Sequence, residues 1–192
     1  DLYGNFGLTV RGERINRQLL KHSYFILCWS ANWVGHKRVY SGCVTQDEAL
    51  ARTDKNILAP LCDLVDKADI LAHHNGKSFD EKVMAARFLV NGFGSPDWPV
   101  KSLDTYKIAK KKLRLESYAL DHLFQIFGIK RKDKMELADW IEIQETGNPK
   151  TLRKMLKYNR GDVSGGVQVL NILKGLDTPS RFFGMQAFPN EP

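Results

Sequence analysis

Apolar and β-branched runs alternate with helical patterns along the chain, and their order predicts an α/β fold. Residues 24–34 and 37–44 are rich in aromatic and branched side chains and predict two strands joined by a hairpin turn. Further strands are predicted over residues 69–73 and 100–103. Apolar residues at helical spacing predict helices over residues 47–67, 79–90, 105–113, 119–127, 136–144 and 149–173, and Pro60 is expected to interrupt the first of them. The C-terminal half is therefore predicted to be helical, and the order of elements is that of an α/β domain.

The chain has the length of one domain of ordinary size, and its charge favours a polyanionic partner. Its 192 residues include 29 Lys and Arg against 22 Asp and Glu, a formal net charge of +7. This balance is typical of proteins that bind nucleic acid, although solvated lysine faces produce the same excess. Residues 1–176 are assigned to one domain and residues 177–192 to an irregular C-terminal tail.

The cysteines and the apolar runs indicate an intracellular protein. Cys28, Cys43 and Cys62 are odd in number and form no Cys-x-x-Cys pair, which favours a reducing compartment over disulfides or a zinc site. No apolar stretch is long enough to span a bilayer, and no signal-peptide pattern opens the chain. A cytoplasmic location without a membrane partner is expected, and the oligomeric state is left open.

Two separate segments each bring a carboxylate to a position suited to metal chemistry. Asp80 follows a predicted strand and falls in the first turn of a helix, where the helix dipole stabilises an acid by about 0.3–1 kcal/mol. Tyr158 and Asp162 are four residues apart on another predicted helix and share one face. An ordinary first-turn acid and a surface pair are the alternatives. Nucleases commonly hold two divalent ions about 3.5–4 Å apart between convergent carboxylates, and Mg²⁺ prefers oxygen ligands.

In this order and separation, the two segments resemble motifs of the DEDD superfamily of 3′–5′ exonucleases, in the DEDDy branch that has Tyr in its last motif. Residues 72–80 resemble the second motif, residues 102–112 the strand and helix that follow it, and residues 158–162 the third motif. The resemblance covers residues 24–173 and is strongest to predicted exonucleases of phages and bacteria. It implies a ribonuclease H-like three-layer fold with a mixed β-sheet flanked by helices, in a bacterial or phage-infected cell.

The same resemblance implies roles for individual residues. Asp80 and Asp162 would be ligands of Mg²⁺ or Mn²⁺ in a two-metal site, and Tyr158 would orient the attacking water, which makes all three candidate catalytic residues. Asp104 is assigned a structural role. Phe79 and Tyr118 are candidates for stacking on an unpaired base, with core packing the favoured role of Phe79. The candidate nucleic-acid contacts are Asn75, Lys77, Lys111, Lys112, Lys157 and Arg160. Solubility is the alternative role for the lysine clusters.

One part of the family pattern is absent. The first motif, an Asp-x-Glu on the opening strand, should precede residues 1–10, yet the chain contains no Asp-x-Glu. The N-terminal strand of the fold is therefore expected to be missing. Because the chain opens with Asp1 rather than Met, an upstream segment that carries the motif is the favoured explanation. A naturally degenerate nuclease is the second, and residues 3–10 filling the strand position without the acids is the third.

The predicted function is a metal-dependent 3′–5′ exonuclease that hydrolyses phosphodiester bonds of nucleic acid, with DNA and a single-stranded 3′ end favoured. A catalytically inactive nucleic-acid-binding module of the same fold is one alternative, because the first-motif carboxylates are absent. A proofreading part of a polymerase assembly is the other, and a polymerase or replication protein would then be the partner.

Overall fold

The computed structural model describes residues 2–5, 24–94, 101–130 and 134–176, and its centre is a mixed five-stranded sheet. The strands are β1 (Leu2–Asn5), β2 (Cys28–Trp33), β3 (Val39–Cys43), β4 (Ile70–His73) and β5 (Lys101–Asp104). Their order in the sheet is β3-β2-β1-β4-β5. β1 runs antiparallel to β2 and parallel to β4, while β2 and β3 form an antiparallel pair and β4 and β5 a parallel one. The predicted mixed sheet is confirmed.

The opening strand corrects one expectation, because its place in the sheet is filled. β1 lies at the centre and pairs with residues 30–33 of β2 on one side and with Leu71 and Ala72 of β4 on the other. The strand expected to be missing is therefore formed by Leu2–Asn5, which overlaps the segment named in the third explanation. The sequence of this strand contains neither Asp nor Glu.

The helices follow the predicted order. They are α1 (Gln46–Ala51), α2 (Lys55–Asp66), α3 (Asp80–Val90), α4 (Thr105–Lys112), α5 (Leu120–Ile126), α6 (Leu137–Thr146) and α7 (Pro149–Leu173), with short 3₁₀ turns at Gly76–Ser78 and Lys174–Leu176. The predicted bounds of α7 agree with the structure because its start is marked locally. The Asn148 side chain accepts the Lys150 N–H over 2.9 Å, and Pro149 occupies the first turn, where no N–H is needed.

The interruption predicted at Pro60 within residues 47–67 is wrong, because the structure divides this segment before α2 instead, between α1 and α2. α1 ends at Arg52, whose φ of 56° is left-handed and cannot continue a helix. Asp54 then precedes α2, and Pro60, the interruption expected from the sequence, lies inside α2. The break therefore comes from the backbone conformation at Arg52 rather than from proline.

Helices cover both faces of the sheet. Trp29 Nε1 donates to the carbonyl oxygen of Ile57 over 2.6 Å, which places α2 on one face. Cys43, paired with Cys28 across the β2–β3 ladder, has its Sγ 3.8 Å from the carbonyl oxygen of Leu152 in α7. Because neighbouring residues of a strand point to opposite faces, Cys28 and Trp29 lie on different sides of the sheet. α7 therefore covers the second face, and the predicted three-layer arrangement is confirmed.

A buried carboxylate that the sequence analysis did not single out joins three segments. The side chain of Asp54 is fully buried, and its Oδ2 accepts the Ile26 N–H and Arg87 Nε, each over 2.8 Å. Its Oδ1 accepts Arg87 Nη2 over 2.8 Å and Asn91 Nδ2 over 3.0 Å. The Asp54 cluster thereby fixes α3 and the segment before β2 to the start of α2.

α7 is 25 residues long and packs closely on α5. A Cβ built on Gly165 would lie 2.4 Å from Cζ of Phe124, so the side chain of Phe124 fills the space that any larger residue would need.

Within the described ranges, none of the helices, α7 included, is long and apolar enough to cross a bilayer.

Candidate functional site

Asp80 lies on a turn that is built tightly around it. It is the first residue of α3, follows the 3₁₀ turn Gly76–Ser78 after β4, and is 9% exposed. A Cβ on Gly76 would lie 2.8 Å from Asp80 Oδ2 and 2.6 Å from Cγ of His73, so only glycine fits between these two side chains. Asn75 has a φ of 59°, and this left-handed residue turns the chain from the strand into the 3₁₀ turn. The turn thus places Asp80 at the carboxyl end of β4.

The imidazole of His73 contacts the residues on both sides of Asp80. Its Nδ1 accepts the Gly76 N–H over 3.0 Å, so the ring proton is on Nε2. Nε2 lies 2.7 Å from Glu81 Oε1 and donates to it. Because Nδ1 accepts the Gly76 N–H, it has no proton to donate to Asp104 Oδ2, which lies 3.8 Å from it. His73 therefore links Gly76 to Glu81 and encloses Asp80 between them.

Ser102 joins the same network but does not form a nucleophilic relay. Its Oγ donates to Glu81 Oε1 over 2.7 Å and also lies 2.7 Å from His73 Nε2. In a Ser-His-acid relay the serine and the acid contact different ring nitrogens, whereas here both contact Nε2. The arrangement is therefore suited to fixing the position of Glu81, not to activating Ser102.

Asp104 holds the turn from the neighbouring strand. Its Oδ1 accepts the Asn75 N–H over 2.8 Å and the Tyr106 N–H over 3.0 Å, which caps α4 and ties it to the turn. These contacts give Asp104 a structural role. Its Oδ2 is buried and has no hydrogen-bond partner among the described residues. A buried carboxylate oxygen left in this way is available to a cation or a water.

The electrostatics of this turn favour a bound cation. Burial, and after it the charges of Asp104 and Glu81, raise the pKa of Asp80 from 3.8 to about 7. A divalent cation would offset both causes, because it stabilises the charged form of a buried carboxylate. The nearby donors that can be ligands are carboxylate oxygens, which suit Mg²⁺ or Mn²⁺, and Mg²⁺ is commonly bound through one or two carboxylates plus substrate phosphates. The type of donor atom at this turn therefore suits such an ion.

The second group of predicted site residues lies on α7. Asp162 is 5% exposed, Tyr158 is half-buried, and Lys157 and Arg160 are exposed. α7 packs on β2, and the charge of Asp162 contributes, after burial and Cys43, to raising the pKa of the Cys28 thiol. Both Tyr158 and Asp162 are on one continuous helix, in agreement with the predicted element.

The predicted site residues lie on three elements. Asn75 and Lys77 are exposed on the turn that carries Asp80, and the second group is on α7, which packs on β2 and β3. The third group, Lys111 and Lys112, is exposed at the C-terminal end of α4. In the part of the chain that the structure describes, no three His, Cys, Asp or Glu side chains are close enough to bind one metal ion. The assignment of Asp80, Asp162 and Tyr158 to one metal site stays a prediction.

Sequence reasoning missed the network of His73, Glu81 and Ser102. The parallel register pairs His73 with Asp104 and Leu71 with Ser102, and this pairing brings the network together. Residues 73 and 81 are eight positions apart across a strand, a turn and a helix start, a separation that no simple periodicity marks. The available signal was a polar residue in an otherwise apolar strand sequence. In the structure this residue, His73, is only 1% exposed.

Comparison with known proteins agrees with this architecture. The family B DNA polymerase from the hyperthermophilic archaeon Pyrobaculum calidifontis is similar in structure over 89% of this chain, with a TM-score of 0.64 and 14% sequence identity. The chain covers 24% of that polymerase. No curated protein matches the sequence significantly. A family model described as the RNase_H superfamily matches residues 22–173, which confirms the predicted ribonuclease H-like fold. Because the match spans most of the chain, the protein belongs to the RNase_H superfamily.

Proposed function

We propose that the protein is a metal-dependent 3′–5′ exonuclease of the DEDDy type, which hydrolyses phosphodiester bonds at a single-stranded 3′ end, with DNA favoured. The observation that carries the proposal is the turn at Asp80, where a buried carboxylate with a raised pKa lies at the carboxyl end of β4. In α/β sheets this end of the strands is where ligands bind. Membership of the RNase_H superfamily supports a nuclease, and the net charge of +7 supports a nucleic-acid substrate.

Each candidate residue has a distinct part in this proposal. Asp80 and Asp162 hold Mg²⁺ or Mn²⁺, and Tyr158 orients the attacking water through its hydroxyl. When bound, the ion supplies Lewis-acid stabilisation of the phosphoryl group. His73 and Gly76 position Asp80 through the contacts already described. The strand is held by Asn75, Lys77, Lys111, Lys112, Lys157 and Arg160.

A nucleic-acid-binding module without catalytic activity is the second candidate function. Two observations favour it: β1 has no acid in its sequence, and the described residues contain no cluster of three metal-ligating side chains. Such a module keeps the salt-dependent phosphate contacts and lacks cleavage. A proofreading part of a polymerase assembly is a further proposal, which co-purification with a polymerase would support.

The test is hydrolysis of a 5′-labelled single-stranded DNA with Mg²⁺ or Mn²⁺, with EDTA as the blank and a matched RNA in parallel. Asp162→Asn keeps the shape of the side chain and removes its charge, and Asp63→Asn, exposed on α2, is the control for losing one negative charge. We expect a 3′-to-5′ ladder that persists in Asp63→Asn and disappears in Asp162→Asn. Tyr158→Phe should lower kcat more than it raises KM, because its hydroxyl acts on water rather than on the strand.

The outcomes separate the candidates. Cleavage that is unchanged in a folded Asp162→Asn variant would remove Asp162 from the site. Binding that falls steeply with salt, without any metal-dependent cleavage, would establish the binding module instead.

A further inference from the structure

Three aromatic rings contact one another beside the turn that carries Asp80. Tyr106 is in the first turn of α4, His74 follows β4, and Tyr118 lies between α4 and α5. The ring centroids of His74 and Tyr106 are 5.7 Å apart and those of Tyr106 and Tyr118 are 6.1 Å apart, both edge to face. All three side chains are half-buried, so the cluster reaches the surface. These three residues are called the aromatic cluster below.

Two members of the aromatic cluster are fixed by hydrogen bonds. His74 Nε2 donates to the carbonyl oxygen of Tyr118 over 2.9 Å, and its Nδ1 lies 2.9 Å from Thr105 Oγ1. Burial lowers the pKa of His74, so the ring is neutral at neutral pH. The Tyr118 hydroxyl donates to the carbonyl oxygen of Leu113 over 3.0 Å. These bonds hold two rings rigidly against Tyr106.

Tyr106 differs from its two neighbours. Its hydroxyl has no hydrogen-bond partner within the described part of the chain, although its ring is packed on both sides. Lys110, one turn further along α4, places Nζ 5.8 Å from the centroid of the Tyr106 ring. A partly exposed ring with a cation beside it offers both a π-face and a positive charge to a ligand.

The surface around Tyr106 is strongly basic. Lys107, Lys110, Lys111 and Lys112 are exposed on α4, and the helix contains no acid. The helix dipole stabilises lysines in the last turn, so the presence of Lys110, Lys111 and Lys112 there does not by itself require a ligand. The dipole does not account for Lys107 in the first turn or for the ring that Lys110 contacts. Aromatic side chains interleaved with lysines are what single-stranded nucleic acid binds, through stacked bases and phosphates respectively.

We propose that Tyr106, supported by His74 and Tyr118, is a stacking platform for one unpaired base of a single-stranded nucleic acid, with Lys110 at an adjacent phosphate. Asp104 Oδ1 accepts the backbone N–H groups of both Tyr106 and Asn75. This one carboxylate therefore links the platform to the turn that carries Asp80. The stacked base therefore belongs to the strand that enters this site. The inference rests on the proposed function for the identity of the ligand but not on cleavage.

The test is binding of a fluorescent oligothymidylate of about a dozen nucleotides, a length within the usual range for such sites. It is measured by anisotropy in EDTA, so that no cleavage interferes. Tyr106→Ala should weaken binding roughly tenfold, the size of effect seen when a stacked base loses its ring. Tyr106→Phe should bind like the wild type because stacking needs only the ring. Tyr24→Ala removes a tyrosine that is 49% exposed elsewhere and is the matched control.

A second measurement distinguishes stacking from a phosphate contact. Oligonucleotides with a single abasic position keep every phosphate and lose one base. The wild type should bind more weakly when one particular position of the oligonucleotide is abasic. Tyr106→Ala should bind that oligonucleotide as well as it binds the intact one. Lys110→Gln should reduce the salt dependence of binding by about one charge, whereas Lys55→Gln on α2 changes it less.

The results separate this inference from the proposed function. Equal affinities of Tyr106→Ala and Tyr24→Ala for the oligonucleotide would overturn the platform even if the protein cleaves DNA. So would a loss of affinity on removing a base that is as large in Tyr106→Ala as in the wild type at every position. The expected abasic pattern without any cleavage would establish the platform and refute the exonuclease. If the wild type does not bind the oligonucleotide, the platform is refuted.

Discussion

The Nε2–H of His73 donates to Oε1 of Glu81 over 2.7 Å, across the turn that carries Asp80. The other ring nitrogen accepts the Gly76 N–H, so one imidazole bonds to both flanks of the buried acid. A Cβ on Gly76 would lie 2.8 Å from Asp80 Oδ2, so no larger residue fits there. The bonds of His73 therefore fix the residues of the turn before and after Asp80.

Substitution of His73 should change activity according to which bond is lost. His73→Asn keeps an acceptor for the Gly76 N–H near the position of Nδ1. His73→Gln keeps a donor to Glu81 near the position of Nε2, and His73→Leu keeps neither. We expect His73→Leu to lower kcat/KM at least about tenfold, since an unsatisfied buried group costs about 1–3 kcal/mol, with Asn and Gln in between. Hydrogen exchange of the Gly76 amide should accelerate in His73→Leu and stay slow in His73→Asn. Wild-type rates and exchange in His73→Leu would contradict this role.

The raised pKa of Asp80 predicts a pH-dependent cost to stability in the absence of metal. The folded pKa is about 7 against 3.8 for the free side chain, so the unfolded chain ionises first as pH rises. The penalty is absent below about pH 4, grows as pH rises to about 7, and is constant above that. Asp80→Asn should therefore be more stable than the wild type at about pH 8, by at most about 4 kcal/mol, with no difference at about pH 4.

Urea unfolding in EDTA at the two pH values measures this difference, with Asp63→Asn on the surface of α2 as the control. Added Mn²⁺ should stabilise the wild type more than Asp80→Asn. A difference between Asp80→Asn and the wild type that does not depend on pH would argue against burial as the cause.

The Asp54 cluster predicts a large effect of its substitution on stability. Asp54→Ala leaves the Arg87 guanidinium, which is 12% exposed, without its bidentate partner and frees the Ile26 N–H. We expect the free energy of unfolding to fall by about 3–5 kcal/mol, the usual cost of breaking a buried pair. A double-mutant cycle with Arg87→Met should show strong coupling. Lys154→Met, which breaks the more exposed pair with Asp139, should have a markedly smaller effect.

Two glycines of α7 should respond oppositely to alanine. Gly165→Ala places a Cβ 2.4 Å from Phe124 Cζ and should destabilise the protein by about 1–3 kcal/mol. Gly161 has open space around its Cβ position, so Gly161→Ala should stabilise the helix by up to about 1 kcal/mol. Thermal unfolding checks both, and Phe124→Leu should partly rescue Gly165→Ala. Equal effects of the two substitutions would contradict the packing of α7 on α5.

Features with a local cause were predictable from the sequence. The bounds of α7 follow from Asn148 and Pro149, and the turn after β4 follows from Asn75-Gly76 before the helix that Asp80 begins. Features that depend on distant pairing were not. The division between α1 and α2 arises at Arg52, a residue type with no preference for a left-handed backbone. The bonds of His73 and Asp54 require the strand register and the packing of α3, and neither leaves a periodic signal.

The central position of β1 has a consequence for how the protein behaves when it is damaged. Its four residues are the only described backbone between β2 and β4. If a protease removed them, one sheet would become two strand pairs, and β2 and β4 would each present an open edge. Open edges accept strands from other molecules, which leads to aggregation. The short segment Leu2–Asn5 therefore protects the inner edges of β2 and β4 from pairing with a second copy of the chain.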